Sequence, residues 1–131
     1  MDKLTPQDLF HIGEDLAAKY LCSNGYEVLC KNFRTKIGEI DLIVHNHHDL
    51  VFVEVKTRSK HSIGDALANI SLTKQKRITF SAQEYINQNP YLVKHRVRFD
   101  IIVVFYYAHT TTFKIKHFAD AFLPVFDDKI T

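Results

Sequence analysis

Polar and apolar positions change period several times along the chain. Leu9, Ile12, Leu16, Ala17, Tyr20 and Leu21 recur at helical spacing. They follow Thr5-Pro6, an N-cap and a residue suited to the first helical turn. Asn24-Gly25 then stops the helix. Tyr26 to Phe33 reads as a strand and Arg34 to Gly38 as a turn. Glu39 to His45 and Leu50 to Thr57 are two more strands, rich in Ile and Val. The polar stretch Asn46-His47-His48-Asp49 is the hairpin loop between them, and Arg58 to Asp65 is an irregular loop. Ser71 caps a second helix with an apolar stripe of Ile78, Ala82, Tyr85 and Ile86, which Asn87 to Pro90 ends. Arg96 to Tyr107 is a strand. Its run from Ile101 lacks polar alternation, which predicts cover on both faces. Thr112 to Phe118 reads as an edge strand. The order α-β-β-β-α-β predicts an α/β fold, a mixed sheet flanked by helices.

Composition adds limits. At 131 residues the chain suits one domain, 1–131, in which roughly two-thirds of the surface is buried. With 46% hydrophobic and 24% charged residues, wholesale disorder is excluded. The longest unbroken apolar run, Ile101 to Ala108, is too short to span a bilayer. The stretch Met1 to Pro6 lacks a signal-peptide pattern, and two cysteines make no disulfide framework. The expectation is a soluble, cytoplasmic, reduced protein. The formal net charge of +2 is unevenly spread. Residues 1–30 hold two basic and five acidic side chains; residues 71–98 hold six basic and one acidic. That skew fits a surface for a polyanion and fits equally a solvated helix face.

The chemistry concentrates in Gly38-Glu39-Ile40-Asp41-Leu42-Ile43-Val44 and Leu50-Val51-Phe52-Val53-Glu54-Val55-Lys56-Thr57-Arg58. Alternate residues of a strand share a face, so Glu39 goes with Asp41 and Glu54 with Lys56. A four-residue loop pairs His45 with Leu50, which sets Asp41 opposite Glu54 and Glu39 opposite Lys56. Opposed side chains in antiparallel strands have Cβ atoms about 5 Å apart, so the two acids repel amid Val and Ile. A divalent cation removes that conflict. Mg²⁺ takes one or two carboxylates and keeps waters that a phosphate can replace. A neighbouring lysine can orient or deprotonate an attacking water. The alternative is an ion-pair ladder, Glu39 with Lys56 and Asp41 with Arg58 or another base, of the kind that contributes little.

Asp41 followed by Glu54-Val55-Lys56 across a hairpin resembles the PD-(D/E)XK nuclease motif, and the element order is the core of that superfamily, the restriction-endonuclease-like fold. Gly13-Glu14, Asn32, Gly38 to Ile43, Phe52 to Arg58, Gly64-Asp65-Ala66 and Arg98-Phe99-Asp100 resemble the YraN-like family of uncharacterised bacterial proteins. That family is similar to archaeal Holliday junction resolvases, which cut branched DNA as dimers. The resemblance spans roughly residues 10 to 105. It implies Asp41 and Glu54 as ligands of Mg²⁺ or Mn²⁺, the carbonyl of Val55 as a third ligand and Lys56 as the catalytic lysine. It gives Glu39 a secondary role in ligation or positioning. It aligns Glu14 with an acid that completes the metal site in resolvase-like members, although on a helical wheel Glu14 lies off the apolar stripe and suits a solvated position as well. Ile40 stands where the broader motif has proline.

The remaining signals are weaker. His45 to Asp49 contains a metal-like cluster of letters, but a polar turn explains it. Cys22 and Cys30 read as buried small hydrophobes. Arg34, Lys36, Arg58 and Lys60 sit in loops at the Glu39/Lys56 end of the hairpin. Lys74, Lys76 and Arg77 follow the Ser71 cap. Together they form a candidate nucleic-acid surface. Asp100 reads as a structural partner of Arg98 or another base. The combined expectation is a metal-dependent DNA endonuclease acting on branched DNA, with a homodimer as a plausible assembly. The alternative is a non-catalytic nucleic-acid-binding or protein-interaction module on the same fold.

Overall fold

A computed structural model describes residues 4–59 and 70–126. The first helix, α1 (Pro6–Ser23), starts at the Thr5 cap, where the Thr5 hydroxyl accepts from Asp8 N–H and the Asp8 carboxylate accepts from Thr5 N–H. That reciprocal pair satisfies two of the helix's orphan donors. Gly25, at φ +89°, turns the chain out of the helix, a conformation that side chains disfavour. Three strands follow: β1 (Glu27–Arg34), β2 (Glu39–His45) and β3 (Asp49–Arg58). The second described helix, α2 (Leu72–Gln88), is capped by the Ser71 hydroxyl on Lys74 N–H. A 3₁₀ turn (Pro90–Lys94) leads to β4 (Arg96–Tyr107), and β5 (Thr112–Phe122) closes the order.

The five strands form one mixed sheet in chain order, β1-β2-β3-β4-β5. Only β3 and β4 run parallel, which is why α2 is the crossover between them. This is an α/β fold with the αβββαβ order of a restriction-endonuclease-like core. The two sheet faces carry separate cores. Ala17, Ala18 and Leu21 of α1 pack on Leu42, Val44, Val51, Val53, Ile102 and Val104. Ile78, Ala82 and Tyr85 of α2 pack on Ile43, Leu50, Phe52 and Phe99. The run Ile101 to Phe105 is buried throughout, as its unbroken apolarity requires.

Element boundaries and the cysteines depart from the sequence expectation. Asp49 belongs to β3 rather than to the loop, because Asn46 closes the turn by itself: its N–H donates to Asp49 O, and its side-chain oxygen accepts from His48 and Asp49 N–H. The edge strand β5 runs four residues further, to Phe122, across a left-handed residue at Asp120. Cys22 is exposed and Cys30 half-buried, so neither is the buried hydrophobe expected. Cys22 falls on the outer side of the last turn of α1, beside the inward Leu21. Lys60 and the Gly64-Asp65-Ala66 motif lie outside the described residues.

Candidate active site

The expected hairpin register holds from His45–Leu50 to Leu42–Val53. Beyond that point β2 keeps its pairing with β1, down to Glu39–Arg34. Asp41 therefore does not simply face Glu54 across a continuing ladder. Its Oδ2 accepts the Val55 N–H at 2.8 Å, so a side chain takes the place of a backbone acceptor. In a strand the N–H and C=O of a residue emerge on the same edge, so the Val55 carbonyl opens on the side of Asp41. Asp41, Glu54 and Lys56 are all buried.

Alternation puts Glu54 and Lys56 on the α2 face, with Phe52. There the first turn of α2 brings in Lys74, whose Nζ lies 2.6 Å from Glu54 Oε1. Lys56 Nζ is 4.0 Å from the same oxygen. On the other side, Gly13 of α1 lies against β3 so closely that a Cβ would collide with Thr57 Oγ1. That close approach carries Glu14 onto the sheet. Glu14 is buried, which decides against the solvated reading. Asn32 links the acids: with its amide nitrogen toward them it donates to Glu14 Oε2 at 3.1 Å and Glu39 Oε1 at 3.2 Å. Asn32 reaches them from a left-handed backbone, φ +53°, within β1.

The electrostatics show an excess of negative charge. Burial and the charge of Glu54 push the Asp41 carboxyl up to about 8, with Glu14 and Glu39 adding to the effect and the Val55 N–H opposing it. Burial also raises Glu14. Burial and the Lys74 ammonium together hold Lys56 below the ordinary lysine value, against the pull of Glu54. Burial would lower Lys74 too, but its hydrogen bond to Glu54 and the charges of Glu54 and Asp41 outweigh this and raise it. The ladder alternative does not form: Glu39 pairs with Arg34 at 3.5 Å, and Lys56 lies beside Glu54.

Two open clefts meet here. One, of about 520 Å³, runs past Leu9, Phe10, Asp41, Glu54, Lys56 and Arg58. The other, of about 440 Å³, runs past Gly38, Glu39, Asp41, Glu54 and Arg77. Both include Lys74 in their walls. Arg34 and Lys36 are exposed on the neighbouring strand and turn, while Lys76 is half-buried on α2. Of the expected basic set, Lys74 pairs with Glu54 and Arg34 with Glu39.

Residues 13–104 match the family model described as Uncharacterised protein family UPF0102. The chain belongs to UPF0102. This is the YraN-like family that the motifs resemble. A UPF0102 protein of Caldanaerobacter subterraneus subsp. tengcongensis is 40% identical over 93% of this chain and 100% of its own length. UPF0102 proteins of Clostridium beijerinckii and Rhodococcus opacus are each 40% identical, over 88% and 84% of this chain and 94% and 92% of their own. These names state the family and no activity.

Sequence reasoning named Asp41, Glu54, Lys56, Glu39 and Glu14, and the fold gathers them around one end of the β2–β3 hairpin. It missed two parts. Asn32 stood among the motif residues without a role, because its reach depends on a backbone angle that no pattern announces. Lys74 was grouped with the surface bases; its position at the third residue of α2, beside the apolar face, was the available signal that it turns inward.

Proposed function

We propose that this protein hydrolyses phosphodiester bonds in DNA with Mg²⁺ or Mn²⁺, and that branched DNA is its substrate class. The carrying observation is the buried pair Asp41 and Glu54 beside Lys56 on a strand edge, with Asp41 seated on the Val55 N–H. The donor set fits such a cation. Its groups are hard oxygens, and burial together with the charge of Glu54 makes an ionised Asp41 costly unless a cation joins the pair. Asp41, Glu54 and the Val55 carbonyl would hold it, with Glu14 adding charge from α1. The described residues contain no group of three His, Cys, Asp or Glu side chains arranged to hold a metal, so waters and substrate oxygens would complete the coordination.

When bound, the cation supplies polarisation of the phosphate and neutralises charge that accumulates on it. The protein's own residues do the rest. Lys56, its pKa held below the ordinary lysine value, is the neutral amine more often than an exposed lysine is and in that form can take a proton from the attacking water, or it orients that water by hydrogen bonding. Glu39 and Glu14 are fixed by Asn32, which keeps their charge close to Asp41. Arg34, Lys36, Arg58, Lys76 and Arg77, with Lys60, would carry the flanking phosphates. Two copies acting together would cut both strands of a junction.

The test is cleavage of labelled linear, flapped and four-way DNA with Mg²⁺, Mn²⁺ or chelator. Purified Lys56→Ala protein is the control for contaminating nuclease. Loss of a general acid–base group predicts cutting reduced by about 10²-fold or more, with binding retained. Wild type and mutant that bind the panel equally and cut nothing would instead favour a non-catalytic binding module.

A further inference from the structure

Lys74 sits where a metal site has no obvious use for a cation. Its ammonium is 2.6 Å from Glu54 Oε1, one of the two carboxylates that would hold the divalent ion. It also stands between the two clefts, since Asp41, Glu54 and Lys74 wall both of them. The side chain is 38% exposed, so it has an open path outward, whereas Glu54 is only 8% exposed and held in the sheet. A lysine has four rotatable bonds and a strongly hydrated head, and leaves an ion pair with less geometric loss than arginine would.

We propose that Lys74 is an internal latch on the site: it holds Glu54 in the metal-free protein and swings out when a divalent cation takes its place. The idea rests on the metal reading above and adds a conformational step to it. In the latched state the Lys74 side chain divides the space beside Asp41 and Glu54. Released, it would leave the two clefts to join across the carboxylates that wall both of them. The freed ammonium then stands beside the joined clefts, where a phosphodiester is its natural partner. Metal and Lys74 compete for one carboxylate, so binding of each opposes binding of the other by the same factor.

The experiment measures Mn²⁺ affinity directly, from the electron paramagnetic resonance signal of free Mn²⁺, with no nucleic acid present. Wild type is compared with Lys74→Met, Arg77→Met and Asp41→Asn. The latch predicts Mn²⁺ binding about tenfold tighter in Lys74→Met, since one competing short-range ion pair is gone. It predicts little change in Arg77→Met, which removes an equal charge from the cleft rim where solvent screens it, and loss of binding in Asp41→Asn. Equal affinities in wild type and Lys74→Met, with Asp41→Asn silent, would overturn the latch and leave the metal site standing. Equal tightening in Lys74→Met and Arg77→Met would also overturn it, because general charge would then be the cause. Failure of all four proteins to bind Mn²⁺ would overturn the metal reading and the latch with it.

Discussion

Two buried carboxylates in this sheet have opposite surroundings. Asp100, in β4, is fully buried and fully matched. Arg98 donates to it through Nε and Nη2, both at 2.8 Å; His117 Nε2 lies 2.7 Å away; and Asp120 N–H donates at 2.9 Å. Burial alone would raise Asp100, but these partners outweigh it and lower its carboxyl. The matching extends outward. Arg98 also donates to the Tyr26 hydroxyl, Asp49 receives Arg96 and Arg98, and His117 meets the Tyr20 hydroxyl. Asp41 has one backbone donor and several acidic neighbours, and is raised. The first arrangement ties α1, β4 and β5 together. The second is the kind of imbalance that stability alone does not favour and that a cation would resolve.

The contrast is sharpest in activity. Asp41→Asn should reduce metal-dependent cutting by about 10³-fold or more, the scale of losing a group that acts on the transition state. Asp100→Asn should spare the chemistry of the site. Single-turnover cleavage of the preferred DNA, at a temperature where both variants are folded, makes the comparison.

In stability the order reverses. Removing one partner from a matched buried network costs about 3 kcal/mol, so Asp100→Asn should lower Tm by about 10 °C at neutral pH. The pH dependence follows from the lowered carboxyl. Ionised Asp100 stabilises the fold above the ordinary carboxylate range, and that contribution is lost as pH falls through its depressed folded value. The Tm gap to wild type should therefore be full at pH 7 and close below about pH 4. Asp41→Asn should do the opposite in chelator and raise Tm by about 5 °C near pH 8. Folded Asp41 holds its proton up to about 8, so between the ordinary carboxylate value and there, ionisation favours the unfolded chain and stability falls as pH rises. The gain from the substitution should thus grow across that window. Thermal unfolding at a series of pH values reads both trends.

The smallest effect belongs to Asn32. Asn32→Gly keeps the left-handed backbone and removes the amide that links Glu14 and Glu39. Cutting should fall about tenfold, the lower range seen when a group that orients ligands is lost. Tm should move little. A large fall in Tm with unchanged specific activity would make Asn32 a structural residue only.

Much of this was readable in the chain. The β2–β3 register followed from a four-residue polar loop, and the burial of β4 from its unbroken apolar run. The partnership of Asp100 with Arg98 followed from two charges on one face of a strand. What escaped was whatever depended on backbone departure from regularity. The end of the β2–β3 ladder after Leu42, the left-handed Asn32 and the seat of Asp41 on Val55 are local breaks in alternation. Period-two reasoning extends a ladder through such breaks. Lys74 escaped for another reason: a helix wheel tells which side a residue is on, but not which strand that side meets. Cys22 shows the same limit, since one residue's rotation around α1 separates exposed from buried.

The central claim is that the unmatched charge around Asp41 and Glu54 is the seat of a divalent cation. Its most direct test is the thermal midpoint of wild type, Asp41→Asn and Asp100→Asn, each with excess Mn²⁺ and with chelator. A ligand that binds only the folded state raises Tm by mass action. The account predicts that Mn²⁺ raises the midpoint of wild type and Asp100→Asn alike and leaves Asp41→Asn where chelator puts it. A wild-type midpoint indifferent to Mn²⁺, or an equal rise in Asp41→Asn, would contradict it.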